Sequence, residues 1–149
     1  LAWQLVLREP LLALIPCDHP LAARESVSLR ELAGEPFVFF DPHVGTGLYD
    51  DILSLLHRYG VQPRITQEVG EAMTIIGLVV AGLGVSILPA SFQRVRLDEM
   101  RWVKLREPDA ISEMWLVWAR HREQSAAAHR FISLLTGAPL PPETGAEPR

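Results

Sequence analysis

The chain has 149 residues, of which 48% are hydrophobic, and carries a formal net charge of -4. This length and apolar content suffice for one soluble domain whose core needs no disulfide or metal support. The acidic balance excludes a broad cationic surface for nucleic acid, so any DNA contact must lie outside this chain.

The composition also restricts the cellular setting and the cofactors. Cys17 is the single cysteine, and no second cysteine or histidine stands at the spacing of a zinc site. The longest apolar stretch, residues 75–89, contains glycines and is shorter than the ~20 residues that span a bilayer. Because the sequence also shows no secretion signal, we expect a cytoplasmic protein with no cofactor, no metal and no membrane contact.

The first half of the chain predicts alternating strands and helices. Apolar clusters on both sides of Pro10 predict two strands joined by a turn, and Ser28 with Glu31 has the spacing of a helix capping box. A continuous apolar run is typical of a strand that is buried on both faces. The predicted elements are strands at 5–7 and 11–15, a short helix Leu29–Ala33, strand Phe37–Phe40, helix Leu48–Tyr59 and strand Arg64–Val69.

The second half continues this pattern and indicates the α/β class. A segment that is apolar nearly all round and ends before Gly82 predicts a buried helix, and β-branched and aromatic residues favour strands after it. The predicted elements are helix Glu71–Ala81, strands Val85–Leu88, Arg101–Leu105 and Ile111–Ala119, and helix Ser125–Leu135. Four prolines after Gly137 predict a disordered tail over 137–149.

Four segments in this order resemble the effector-binding domain of LysR-type transcriptional regulators. They are LALIPCDHPL at 12–21, LRELAGEPF at 29–37, GLVVAGLGVSILPAS at 77–91 and the segment Pro108–Ala119. Within that family, EVGEA at 68–72 and LREPDAISEMWLV at 105–117 are similar to the branch that responds to cis,cis-muconate and benzoate. The resemblance spans most of residues 5–136.

The resemblance implies an α/β fold of the type II periplasmic-binding-protein kind, with two lobes and the ligand between them. It implies a complete second lobe at 16–110 and a partial first lobe, whose pieces and crossovers are residues 1–15 and 111–136. It also implies a winged helix-turn-helix before Leu1 that contacts DNA, and a homo-oligomer, either a dimer or a tetramer. A small organic acid, with cis,cis-muconate as one candidate, would then control transcription of a degradation operon.

The loop before the first long helix is the first candidate site. At a helix N-terminus, free backbone N–H groups and the positive end of the dipole favour a carboxylate. The resemblance carries effector contact over to Thr46, Gly47 and Leu48. The alternative is that Thr46 only caps the helix, while Asp50 and Asp51 complement the dipole in its first turn.

A second helix start should face the same cleft, because loops at the carboxyl ends of parallel strands meet at one edge of a sheet. The resemblance carries effector contact over to Ala72, and it pairs Glu71 with Arg8 of the other lobe in a switch salt bridge. A solvated Glu71 that complements the helix dipole is the alternative. His43 in the first loop could hydrogen-bond a carboxylate, although a solvated histidine explains it as well.

Two other classes of function share this architecture. A solute-binding protein of a transporter would use the same cleft and the same anion chemistry, and a secretion signal upstream would favour it. An enzyme is not expected, because the sequence holds no nucleophile elbow, no phosphate-loop lysine, no metal-ligand cluster and no convincing carboxylate pair. The leading hypothesis is therefore a ligand-sensing domain without enzymatic activity.

Overall fold

A computed structural model describes residues 1–44, 46–119 and 124–137. The strands are β1 Ala2–Pro16, β2 Ser26–Val27, β3 Pro36–Phe40, β4 Arg64–Val69, β5 Ser86–Pro89, β6 Met100–Leu105 and β7 Ile111–Trp118. The helices are α1 Thr46–Arg58, α2 Ala72–Val80 and α3 Ala126–Thr136, with 3₁₀ helices at Pro20–Ala23, Leu29–Leu32 and Ala90–Arg94. Of the helices in these ranges, none combines the length and the hydropathy that a membrane crossing requires. The predicted tail lies, from residue 138 onward, outside the described residues.

The chain divides into two compact units. Unit 1 combines Leu1–Arg8 with the chain from Glu113 onward, and unit 2 is Glu9–Ser112. Strands β1 and β7 therefore each have residues in both units. The lobe limits that the sequence suggested, with a second lobe at 16–110, stay a prediction.

Strand β1 is central to the main sheet. From Leu11, opposite Pro89, it runs antiparallel to β5, and it is also antiparallel to β6. Strand β2 adds to β6 in parallel, and β7 pairs with β1. Strands β3 and β4 form a parallel pair, and a bridge between Phe37 and Val85 connects β3 to the residue before β5. The larger sheet is therefore mixed, whereas the two-stranded sheet of β3 and β4 is parallel.

Two apolar clusters of unit 2 lie on opposite faces of its strands, because neighbouring residues of a strand point to opposite sides. The first cluster contains Phe37 and Phe39 and is covered by α1, whereas the second contains Val38 and Phe40 and is covered by α2. The strand predicted from the apolar run is thus buried on both faces, as expected. This arrangement sets α1 and α2 on opposite sides of β3.

The predicted helices are present, with small shifts at their ends. The capping box is confirmed: the Glu31 N–H donates to Ser28 Oγ at 3.3 Å and the Ser28 N–H donates to Glu31 Oε2 at 2.8 Å. The helix that it starts has only four residues and is 3₁₀ in type. Gly60, with φ of 73°, follows α1 as the sequence suggested.

The prediction of two strands around a turn at Pro10 is wrong, because β1 runs without interruption from Ala2 to Pro16. Proline fixes φ at about −65°, which extended backbone tolerates, and it weakens a strand mainly because it has no N–H for the ladder. The pairings with β5 and β6 begin at Leu11 and Leu12, after Pro10. Neither of these two strand pairings therefore requires a backbone N–H donor at Pro10.

Unit 1 differs from unit 2 in the burial of its apolar side chains. None of its described residues is buried. Its side chains include Trp3 at 66% exposure, Met114 at 60% and Leu134 at 83%. Helix α3 begins at Ala126, one residue after the predicted start, with Ser125 as its N-cap, and none of its residues is buried.

Gly84 is a position at which the fold requires glycine. Its φ of +154° is one that other residues rarely adopt, and a Cβ there would lie 2.3 Å from the carbonyl oxygen of Pro36. That same oxygen accepts a hydrogen bond from the Val85 N–H at 2.8 Å. A side chain at Gly84 would therefore push β5 away from β3.

Gly84→Ala is expected to lower the free energy of unfolding by about 1–3 kcal/mol, because it combines overpacking with a strained φ. Urea unfolding followed by circular dichroism measures the change. Gly77→Ala in α2 is the matched control, since a Cβ there meets no atom within 4 Å and should stabilise the helix by about 0.5–1 kcal/mol. Equal effects of the two substitutions would contradict the account of Gly84.

Candidate functional site

The carboxyl ends of β3 and β4 lie side by side and carry the loops that lead into α1 and α2. Phe40 pairs with Val69 at the ends of the two strands, and the following N–H, of Asp41, donates to the Val69 carbonyl oxygen at 2.9 Å. The loops stay in contact beyond that point, because a Cβ on Gly70 would lie 3.6 Å from Val44 Cγ1. The two helix starts therefore lie at the same edge of the sheet.

Asp41 shapes the first of these loops. Its Oδ1 accepts a hydrogen bond from the His43 N–H at 2.8 Å, and its carbonyl oxygen accepts one from the Val44 N–H at 3.0 Å. An aspartate at the start of a turn is common for this reason, so the sequence carried a signal that the site prediction did not use. His43 itself is exposed beside this turn.

Helix α1 begins at Thr46, two residues earlier than predicted. Asp50 and Asp51 therefore lie beyond the first turn, and the first turn contains no acidic residue. A carboxylate complements the helix dipole best within that first turn. Gly47 is exposed, and a Cβ added to it would meet no atom within 4 Å. Leu48 is half-buried and packs against both apolar clusters, so it joins the first turn to the core.

Helix α2 begins at Ala72, with Glu71 as the residue before its first turn. The Glu71 side chain is exposed and makes no capping hydrogen bond, while its carbonyl oxygen accepts from the N–H groups of Thr74 and Ile75. Ala72 is half-buried against the second cluster. The first turn of α2 therefore lacks the usual side-chain cap from the residue that precedes it.

Lysine and arginine are absent from the segments around the two helix starts. Residues 41–51 and 70–74 contain four acidic residues and no lysine or arginine. The unpaired N–H groups of the two first turns carry partial positive charge. Within the described ranges, no group of three His, Cys, Asp or Glu side chains is arranged to hold a metal ion. The unpaired N–H groups suit hydrogen bonding to an anion.

Two apolar side chains beside the helix starts were missed by the sequence reasoning. Val44 is 50% exposed in the first loop, and Met73 is 55% exposed in the first turn of α2. No local pattern predicts their exposure, because it depends on which loops fold next to each other. Together with the N–H groups, they suit a small molecule that has a polar end and an apolar body.

The family model for the LysR substrate binding domain matches residues 1–139. The chain belongs to this family.

Two bacterial transcriptional regulators are among the proteins that are similar to this chain. The chain is 72% identical over 126 residues to the uncharacterized HTH-type transcriptional regulator YnfL of Escherichia coli, a match that covers 85% of this chain and 42% of that protein. It is 32% identical over 132 residues to the HTH-type transcriptional regulator CatR of Pseudomonas putida, which covers 89% of this chain and 45% of that protein. The chain thus spans less than half the length of these curated relatives.

Solved structures agree with these relatives. The BenM effector binding domain with its effector benzoate matches with a TM-score of 0.73 and 27% identity, over 98% of this chain and 69% of that chain. The resemblance to LysR-type regulators is therefore confirmed, as is the type II periplasmic-binding-protein-like fold that LysR effector-binding domains have. The relatives named here are transcriptional regulators rather than enzymes.

The candidate site residues predicted from the sequence lie in both units. Unit 2 contains His43, Ala72 and Glu71, and α1 starts at Thr46 in the same unit. Arg8 belongs to unit 1, where its Nη2 lies 2.5 Å from Glu113 Oε1. The switch salt bridge between Arg8 and Glu71 joins residues of different units and stays a prediction.

The Glu113 carboxylate accepts hydrogen bonds from both Arg8 and Trp115 of the same unit. Besides the Nη2 contact, Arg8 Nε donates to Glu113 Oε1 at 2.7 Å. Trp115 Nε1 donates to Glu113 Oε2 at 3.1 Å. Sequence reasoning missed this arrangement, because these residues belong to strands that are about a hundred positions apart in the chain.

Asp41→Ala is expected to loosen the first loop of the LysR domain, because the His43 N–H loses its acceptor. A net hydrogen bond contributes about 1 kcal/mol, so the His43 amide should exchange with deuterium about fivefold faster. Hydrogen exchange measured by NMR tests this. Asp50→Ala is the matched control, an exposed acid for which the described residues show no partner. Faster exchange in both variants, or in neither, would contradict the role of Asp41.

Proposed function

We propose that this domain binds a small organic acid at the adjacent starts of α1 and α2, and that binding controls the activity of a LysR-type transcriptional regulator. The contacts proposed for the acid are Thr46, Gly47, Leu48 and Ala72, with His43 beside them. Benzoate and cis,cis-muconate are the first candidates. In the proposed site, backbone N–H groups donate hydrogen bonds to the acid.

The observation that carries the proposal is the pair of helix starts at one edge of the sheet. The loops before them are in contact at Val44 and Gly70, and neither first turn contains an acidic side chain. Two sets of free N–H groups side by side favour a carboxylate more than one set does. BenM supports the ligand class, because its effector-binding domain is known with its effector benzoate.

The relatives of this chain support a proposal about regions of the regulator outside this chain. YnfL and CatR are HTH-type transcriptional regulators of more than twice the matched length. We propose that a winged helix-turn-helix outside this chain contacts DNA, and that the regulator acts as a dimer or tetramer. Ligand binding would then shift the population between two arrangements of the oligomer, which requires different affinities for the two. The relatives do not favour the alternative of a solute-binding protein.

Thermal unfolding with and without ligand tests the proposal. Benzoate or cis,cis-muconate at about 100 times its dissociation constant should stabilise the domain by about 2.7 kcal/mol. Gly47→Asp should abolish this stabilisation through charge repulsion. The substitution should leave the ligand-free fold intact, because a Cβ at Gly47 meets no atom within 4 Å and an acid in the first helical turn is favourable.

Gly47→Asn is the matched control, since asparagine has the shape of aspartate without its charge. It should keep most of the ligand stabilisation. Equal loss in Gly47→Asn and Gly47→Asp would show that bulk, not charge, excludes the ligand, and would count against an anion at this turn. No saturable shift with either acid in the unsubstituted chain would remove these two acids as effectors.

A further inference from the structure

A short segment carries the chain out of unit 2 after β6. We call residues 107–112 the return segment, because unit 2 ends at Ser112. The Leu11 N–H donates to the carbonyl oxygen of Ala110 at 2.8 Å, and Ala110 is only 4% exposed. This bond ties the outgoing chain to the incoming strand β1. The return segment therefore sets where the chain leaves unit 2.

Asp109 of the return segment is bound by residues at the end of α1. Arg58 Nη2 lies 2.9 Å from Asp109 Oδ2, and the Tyr59 hydroxyl donates to Asp109 Oδ1 at 2.5 Å. The carbonyl oxygen of Tyr59 is itself held by Arg30 Nε at 3.2 Å. Both carboxylate oxygens of Asp109 thus have a donor, one from Arg58 at the end of α1 and one from Tyr59, which follows the helix.

This position is electrostatically unusual for an acid. The C-terminus of a helix carries partial negative charge, which disfavours a carboxylate nearby. The two donors offset that repulsion, and the Tyr59 hydrogen bond, more than the Arg58 charge, holds the pKa of Asp109 below its usual value. The same hydrogen bond raises the pKa of Tyr59. The Tyr59 hydroxyl and the Arg58 guanidinium therefore favour the charged form of Asp109.

The return segment has a second anchor that does not involve α1. Glu107 Oε1 accepts a hydrogen bond from the Leu29 N–H at 2.9 Å. Glu107 thus connects the segment to the 3₁₀ helix, whereas Asp109 connects it to α1. Losing the Asp109 contact should loosen the link to α1 without releasing the segment altogether.

We propose that Arg58, Tyr59 and Asp109 form a positioning clamp that makes α1 and the return segment move as one body. Helix α1 has 13 residues and is a rigid rod of about 20 Å. A ligand held at its first turn would therefore shift the point at which the chain leaves unit 2. This regulatory role rests on the proposed function, whereas the clamp itself does not.

Hydrogen–deuterium exchange on the whole chain without ligand tests the clamp. Tyr59→Phe and Asp109→Asn should each speed exchange of the Leu11 amide and of residues 109–112 by about threefold, the size expected for an exposed ion pair. Asp51→Asn is the matched control, an exposed acid on α1 without a partner among the described residues. Unchanged exchange in both clamp variants, or the same increase in Asp51→Asn, would overturn the clamp.

The same experiment with benzoate, and then with cis,cis-muconate, tests the regulatory role. Ligand should slow exchange in the first turn of α1 in the unsubstituted chain and in Asp109→Asn alike. It should change exchange at residues 109–112 only in the unsubstituted chain. A retained change there in Asp109→Asn would overturn the coupling. No slowing at α1 with either acid would overturn the proposed ligands and with them the regulatory role, while the ligand-free rates would still decide the clamp.

Discussion

The burial of the unit 2 strands on both faces is the constraint on which the rest of this unit depends. Side chains that alternate along β3 enter two separate apolar clusters, one under α1 and one under α2. Strands β3 and β4 are parallel, and α1 follows β3 while α2 follows β4, so both helices start from the same edge. The side-by-side N–H groups of the candidate site thus follow from the strand topology that the two clusters stabilise. The unpaired donors need no polar side chain to place them.

Local patterns predicted the elements that neighbouring residues determine. The apolar run at Phe37–Phe40 predicted a doubly buried strand, and Arg64–Val69 is found with the predicted bounds. Features that depend on distant residues were not predictable in this way. Tyr59 and Asp109 are 50 positions apart, and the passage of β1 through Pro10 depends on where its partners begin to pair. The family resemblance predicted the fold class but could not supply these contacts.

The two units differ in how much of their apolar surface they bury. Unit 2 encloses both clusters, whereas the described part of unit 1 leaves large side chains such as Trp3 and Leu134 open. BenM and its relatives are longer than this chain, and the match covers 69% of the BenM effector-binding domain. Unit 2 contains both helix starts and the proposed clamp.

Gly47 has a consequence for how sensors of this architecture diverge. It faces open space, whereas its neighbour Leu48 is tied to both clusters. Under the proposed contacts, a change at Leu48 would alter packing and recognition together, whereas a change at Gly47 would alter recognition with little effect on packing. A lineage could then exchange one ligand for another at Gly47 without passing through an unstable intermediate. In the proposed site, Gly47 would thus separate the evolution of specificity from the maintenance of the fold.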